Sequence, residues 1–216
     1  YTRVYRYWDD EKTAPATTDG MLGGFGHTSD DEVEESLALL RTAQAGRPAL
    51  KFGRALDCGA GIGRVAKYLL CPVFEACDMV EQSRRLCDSA PGFVDRPNLG
   101  TVFHSTLQAF EPPKDLYDVV WIQWCTGYFT DVDLIRVLET YSKALRPGGI
   151  LCVKENTVKP SSGFWVDQDD AYFVRSTAYQ EEVFKRAGLH VLHKALQVKW
   201  PSGAMPVIMF ALARDP

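Results

Sequence analysis

Ala55-Leu56-Asp57-Cys58-Gly59-Ala60-Gly61-Ile62-Gly63 is the stretch on which the fold turns. A short apolar run ends at Asp57 and Cys58, which predicts a strand, and three glycines at alternate positions then let the backbone turn tightly and approach a ligand that a Cβ would otherwise block. A glycine-free helical stretch follows, and its first unpaired N–H groups point back at the turn and favour a carboxylate or phosphate there. Glu81 lies eighteen residues beyond Gly63, after a second strand-like run over Val73–Val80. An acid so placed can accept hydrogen bonds from two ribose hydroxyls, so the stretch describes a pocket for a nucleoside-containing ligand. The dinucleotide fingerprint is G-x-G-x-x-G, whereas this order is D-x-G-x-G-x-G, with the acid two residues before the first glycine.

Outward from the turn, strands and helices alternate. Thr101–Ser105 reads as a third strand and Tyr117–Trp124 as a fourth, its long apolar run suited to a strand buried on both faces. Apolar residues at 134, 135, 138, 141 and 145 predict a helix over Asp131–Leu145, with Arg146-Pro147-Gly148-Gly149 ending it. Ile150–Lys154 is a fifth strand, Thr177–Ala187 a helix stopped by Gly188, and Val191–Trp200 with Val207–Ala213 an antiparallel hairpin around Pro201-Ser202-Gly203. Without internal repeats or low-complexity linkers, the 216 residues read as a single domain, with an extension over 1–50 and a core over 51–216. The expected class is α/β, a Rossmann-like seven-stranded sheet closed by the hairpin. Because the chain starts at Tyr1 and not at Met, it is expected to be trimmed from something longer.

A net charge of −4 provides no basic stripe for nucleic acid, no apolar run is long enough for a membrane span, and no signal-peptide pattern opens the chain. Six cysteines without a C-x-x-C pair read as reduced core residues in a cytoplasmic or nuclear protein, and the four histidines offer no metal spacing. In the extension, Asp19-Gly20-Met21-Leu22-Gly23-Gly24-Phe25-Gly26 carries four glycines among apolar side chains that need shelter. Such a segment either packs on the surface or closes as a lid over a cleft.

The chain resembles the class I S-adenosylmethionine-dependent methyltransferases in its glycine turn. Within them, Tyr7-Trp8, Asp19–Gly24, Leu56–Arg64, Trp121-Ile122-Gln123-Trp124 and Lys154-Glu155-Asn156 together resemble the α-N-terminal protein methyltransferases. That family methylates the free α-amine of proteins beginning X-Pro-Lys/Arg. The resemblance implies S-adenosylmethionine as donor, S-adenosylhomocysteine as product, N-terminal protein segments as partners, and a monomer. It implies cofactor contacts at Gly59, Gly61, Arg64, Glu81, Gln82, Ser83, Leu107, Gln108 and Gln123. Arg64 can form a charge-assisted bond to the methionine carboxylate.

On the substrate side the resemblance implies that Trp8 and Trp124 wall a second-position proline, and that Leu22 and Gly23 belong to the lid. It further implies that Asn156 and Asp170 orient the α-amine, that Asp170 assists proton loss, and that Asp167 with Asp170 receives the third residue's cation. Where the family often has His, Thr126-Gly127-Tyr128 places a tyrosine, a poor base at neutral pH because it titrates near about 10. The stretch from Trp8 to Asp19 is longer than usual for the family. A small-molecule amine methyltransferase and a non-catalytic module of the same fold are the alternative readings of the sequence.

Overall fold

The computed structural model describes residues 1–168 and 171–214. In chain order they form α1 (Thr2–Asp9), α2 (Thr18–Met21), α3 (Ser29–Gly46), β1 (Arg54–Cys58), a π-helical stretch over Ala66–Leu70, α4 (Cys71–Val73), β2 (Ala76–Glu81), α5 (Arg84–Val94), β3 (Leu99–His104) and β4 (Tyr117–Gln123). There follow α6 (Asp131–Ser142), β5 (Leu145–Asn156), β6 (Phe164–Asp167), β7 (Tyr172–Arg175), α7 (Thr177–Arg186), β8 (Leu189–Leu196) and β9 (Val207–Arg214).

Seven strands lie side by side in the order β3-β2-β1-β4-β5-β9-β8. The first five are parallel, and β9 runs antiparallel between β5 and β8. The expected sheet with its closing hairpin is therefore what forms. Every residue of β4 is buried, and alternation along it decides the layers. Val120 and Ile122 join Leu134, Leu138, Phe184 and Phe210 beneath α6 and α7. Val119 and Trp121 join Leu39, Leu40, Ala66 and Val94 beneath α3, the π-helical stretch and α5. Strand order reverses between β1 and β4, and the crevice this opens at the carboxyl ends of the strands is where open α/β sheets take ligands.

Besides β3 over Leu99–His104 where Thr101–Ser105 was expected, and β8 over Leu189–Leu196 where Val191–Trp200 was expected, three departures from the sequence reading stand out. β2 begins at Ala76 rather than Val73, because Pro72 occupies the first turn of α4, where its missing N–H costs nothing, and holds 71–73 helical. Arg146-Pro147-Gly148-Gly149 lies inside β5 as an irregularity in its pairing with β4, and α6 has already ended at Ser142. The third change is the antiparallel pair β6 and β7, which stands apart from the main sheet and was not expected.

The long stretch after Trp8 is fastened to the start of α5. Arg85 on α5 donates to the carbonyls of Trp8, Asp9 and Ala14 at 3.1, 3.1 and 2.6 Å, and pairs with Glu11. Arg175 does comparable work for β7: it is buried, donates twice to Asp131 at 2.9 and 2.7 Å, and reaches the carbonyls of Thr126 and Phe129 at 3.1 and 2.9 Å. Arg175→Met is expected to destabilise the fold by about 3 kcal/mol, because those acceptors lose their donor. The check is a lowered urea midpoint at unchanged slope; an unchanged midpoint would show that water replaces the guanidinium.

Candidate active site

The turn after β1 is built as its glycines suggest. Gly59, Gly61 and Gly63 have φ of 67°, 57° and 84°, a region that strains any residue with a Cβ. A Cβ on Gly59 would collide with the Sγ of Cys125 and one on Gly61 with the Sδ of Met21, so backbone and neighbours approach closely from both sides. Glu81, at the end of β2, accepts from the N–H of Gly61 at 2.9 Å and from that of Ser83 at 2.8 Å. Its burial holds its pKa above the usual carboxylate range.

Above the turn lies a cavity of about 400 Å³. Of the residues expected to hold a cofactor, Gly59, Gly61, Arg64, Glu81, Gln82, Leu107, Gln108 and Gln123 line it. Leu107 is steadied from below, its carbonyl accepting from the Tyr141 hydroxyl at 3.2 Å. Ser83 does not line the cavity. It is fully buried as the cap of α5, its Oγ accepting from Leu86 N at 3.3 Å and donating to Asp9 at 2.7 Å. Asp57 also faces the cavity; it accepts from Ala66 N at 3.0 Å, and burial pushes its pKa up to about 7.

The other end of the cavity is aromatic. Trp8, Trp124 and Tyr128 line it together with Tyr1, Tyr5 and Phe129. Tyr128 meets Trp8 edge-on at 6.2 Å and Tyr172 at 4.8 Å. Trp124 is bound into a stack: Trp200 lies 5.8 Å from it, and Phe25 stacks on Trp200 at 6.1 Å. Its backbone is left-handed at φ 51°, an uncommon state for a bulky residue and one found where a side chain must be aimed.

α1 and Met21 cover the cavity, so the extension closes over the cleft as a lid would, but Leu22 and Gly23 do not reach the lining. Asn156 and Asp167 lie outside it too, at the ends of β5 and β6. The backbone of Asn156 is tied by its N–H to Glu155 at 2.8 Å and by its carbonyl to Gln180 at 3.1 Å. Asp170 falls outside the described residues.

Several residues that matter here were assigned no role from the sequence. Glu155, 2% exposed, accepts from the N–H and hydroxyl of Thr126 at 3.0 and 2.8 Å and from the hydroxyl of Tyr172, so one carboxyl joins the loop carrying Tyr128, β7 and the end of β5. Glu32 and Lys154 form a buried pair behind Arg64 and Gln123. Trp200 looked like the end of a strand; its proximity to Trp124 depends on the loop between β8 and β9. Among the described residues no three His, Cys, Asp or Glu side chains converge as metal ligands, and no helix is long and apolar enough to cross a membrane.

Residues 1–213 match the family described as AdoMet-dependent proline di-methyltransferase. The chain belongs to that family. The alpha N-terminal protein methyltransferase 1 of Drosophila melanogaster is 38% identical to it over 218 residues, spanning 98% of this chain and 75% of the relative. The N-terminal Xaa-Pro-Lys N-methyltransferase 1-B of Xenopus laevis is 37% identical over 215 residues, spanning 98% and 94%. A solved SAM-dependent methyltransferase from Leishmania major superposes with a TM-score of 0.90 at 32% identity, covering 98% of this chain and 82% of that one.

S-adenosylmethionine is accordingly the cofactor of this methyltransferase family, and the cavity fits it. The glycine turn brings bare backbone to the cavity wall, the acid at Glu81 suits ribose hydroxyls, and the buried cation of Arg64 suits a carboxylate. Gly59→Ala would drive a methyl group into Cys125, displacing the turn, and strain its backbone by about 1–2 kcal/mol. Titration calorimetry should show S-adenosylhomocysteine affinity lowered about tenfold or more, and unaltered affinity would place the cofactor elsewhere.

The buried acids also set a pH dependence. Burial pushes Glu155 from 4.5 up to about 7, so the folded state holds a proton there that the unfolded state releases earlier. Its stabilising contribution is complete below about pH 4.5 and lost as pH rises through about 7, a change on the order of 3 kcal/mol. Glu155→Gln, which mimics the protonated acid, should flatten the fall of unfolding free energy across that window; an unchanged slope would mean that the carboxyl is ionised throughout.

Proposed function

We propose that this enzyme methylates the free α-amine of proteins beginning X-Pro-Lys/Arg. The observation that carries the reading is a single cavity with a glycine turn at one end and Trp8, Trp124 and Tyr128 at the other. Two indoles can flank a proline ring, and the contact excludes water from the adjoining amine. A proline at position two also removes a backbone donor that such an apolar wall could not satisfy.

When bound, S-adenosylmethionine supplies a methyl group made electrophilic by its sulfonium. What the chain's residues must do is position the amine and bring it in without its proton. An α-amine titrates near about 7.7–8.0 and a lysine near about 10.4, so baring the α-nitrogen is easier by roughly 3.5 kcal/mol. Asn156 orients the nitrogen through its side-chain amide in this reading, and Asp170 accepts the proton and passes it to water. The relay matters, because a carboxylate that merely sits nearby stabilises the ammonium. Asp167 and Asp170 attract the third residue's cation, and Tyr128 shapes the pocket and hydrogen-bonds without acting as a base.

The test uses a peptide beginning Ser-Pro-Lys and its N-acetylated copy, with products read by mass spectrometry. The free peptide should gain methyl groups at its first nitrogen and the acetylated copy none; methylation indifferent to acetylation would overturn the reading. In the same assay Asp170→Asn should slow turnover about tenfold or more while leaving cofactor affinity within about twofold.

A further inference from the structure

Glu32 lies in the first turn of α3, where an acidic run would ordinarily be a solvated helix start, yet it is 1% exposed. One carboxylate oxygen pairs with Arg64. The other pairs with Lys154 and accepts from the side-chain amide of Gln123 at 3.1 Å. Lys154, fully buried on β5, donates further to the Glu32 carbonyl and to Ser36 Oγ, both at 2.9 Å. Arg64 and Lys154 each sit 5.9 Å from the centre of the Trp124 ring. Arg64, Gln123 and Trp124 line the cavity, whereas Glu32 and Lys154 stand behind them.

Both cations share Glu32 as their partner, and Asp57, buried in the lining of the same cavity, is within electrostatic reach of Arg64. Gln123 is fixed from two sides, its amide donating to Glu32 at 3.1 Å and its carbonyl oxygen accepting from Trp121 Nε1 at 2.9 Å. Glu32 also holds the Arg64 guanidinium at Nη1, and a planar group held at one edge presents its remaining N–H groups in a fixed direction.

We propose that Glu32 is a positioning residue for the donor's carboxylate: it holds Arg64 and Gln123 in place, so that the guanidinium is aimed at that carboxylate. The proposal rests on the reading of Arg64 as the contact to that carboxylate. It also gives α3 a second task, since the helix that follows the cavity's cover places an acid under the donor site.

The experiment compares S-adenosylhomocysteine, which carries the carboxylate, with 5′-methylthioadenosine, which lacks it, by calorimetry on the whole enzyme. The unaltered protein should bind the former about tenfold or more tightly; equal affinities would defeat the reading of Arg64 itself. Given that preference, Glu32→Gln should weaken S-adenosylhomocysteine about tenfold while leaving methylthioadenosine within about twofold. Equal weakening of both ligands, or of neither, would overturn the role of Glu32. Should Glu32→Gln fail to fold, Glu32→Asp, which keeps the charge and shortens the reach, is read the same way and should lower the preference by a smaller factor.

Discussion

A parallel sheet ends in loops whose backbone N–H groups no neighbouring strand can pair, and here buried carboxylates take them. Glu81 holds Gly61 and Ser83, Asp57 holds Ala66, and Glu155 holds Thr126, Gly127 and Asn156. Each acid stands at or near the end of a strand and fixes the chain that leaves it. Backbone donors satisfied from below leave the space above them empty, and that space is the cavity. The arrangement has an electrostatic cost, visible in Asp57 and Glu155, which burial raises to about 7. Its return is a rigid rim, assembled before any ligand arrives, around a pocket whose walls do not collapse into it.

The two ends of the cavity differ in what the sequence discloses about them. The glycine turn is legible because each glycine answers a local demand: a positive φ and a close approach, met at three alternate positions. Glu81 is legible because one strand fixes its distance from that turn. Glu32 is not, because its partner Lys154 lies 122 residues away and an acidic helix start has an ordinary explanation at the surface. Trp200 escapes for the same reason: stacking depends on how a loop folds back, and nothing local to Lys199-Trp200-Pro201 records it.

Strand boundaries failed where local chemistry allowed two outcomes. Arg146-Pro147-Gly148-Gly149 has the composition of a helix stop, yet Leu145 already pairs with Tyr117 and the irregular run is absorbed within β5. Gly148 makes this possible: its φ of 87° lets the backbone fold out and rejoin the ladder at Ile150. β6 and β7 were hidden because Phe164, Trp165 and Val166 are consecutive apolar residues with no alternation, and all three are exposed. The pair answers to β7 and not to a hydrophobic face on β6: Tyr172 and Arg175 bind Glu155 and Asp131, and β6 follows by pairing.

Tyr128 shows how far that rigidity reaches into specificity. Gly127 before it admits no side chain, since a Cβ would strike the ring of Tyr172, and Glu155 grips the backbone on the other side. The tyrosine is thus held edge-on between Trp8 and Tyr172. What the structure shows the wall to provide is shape and dryness.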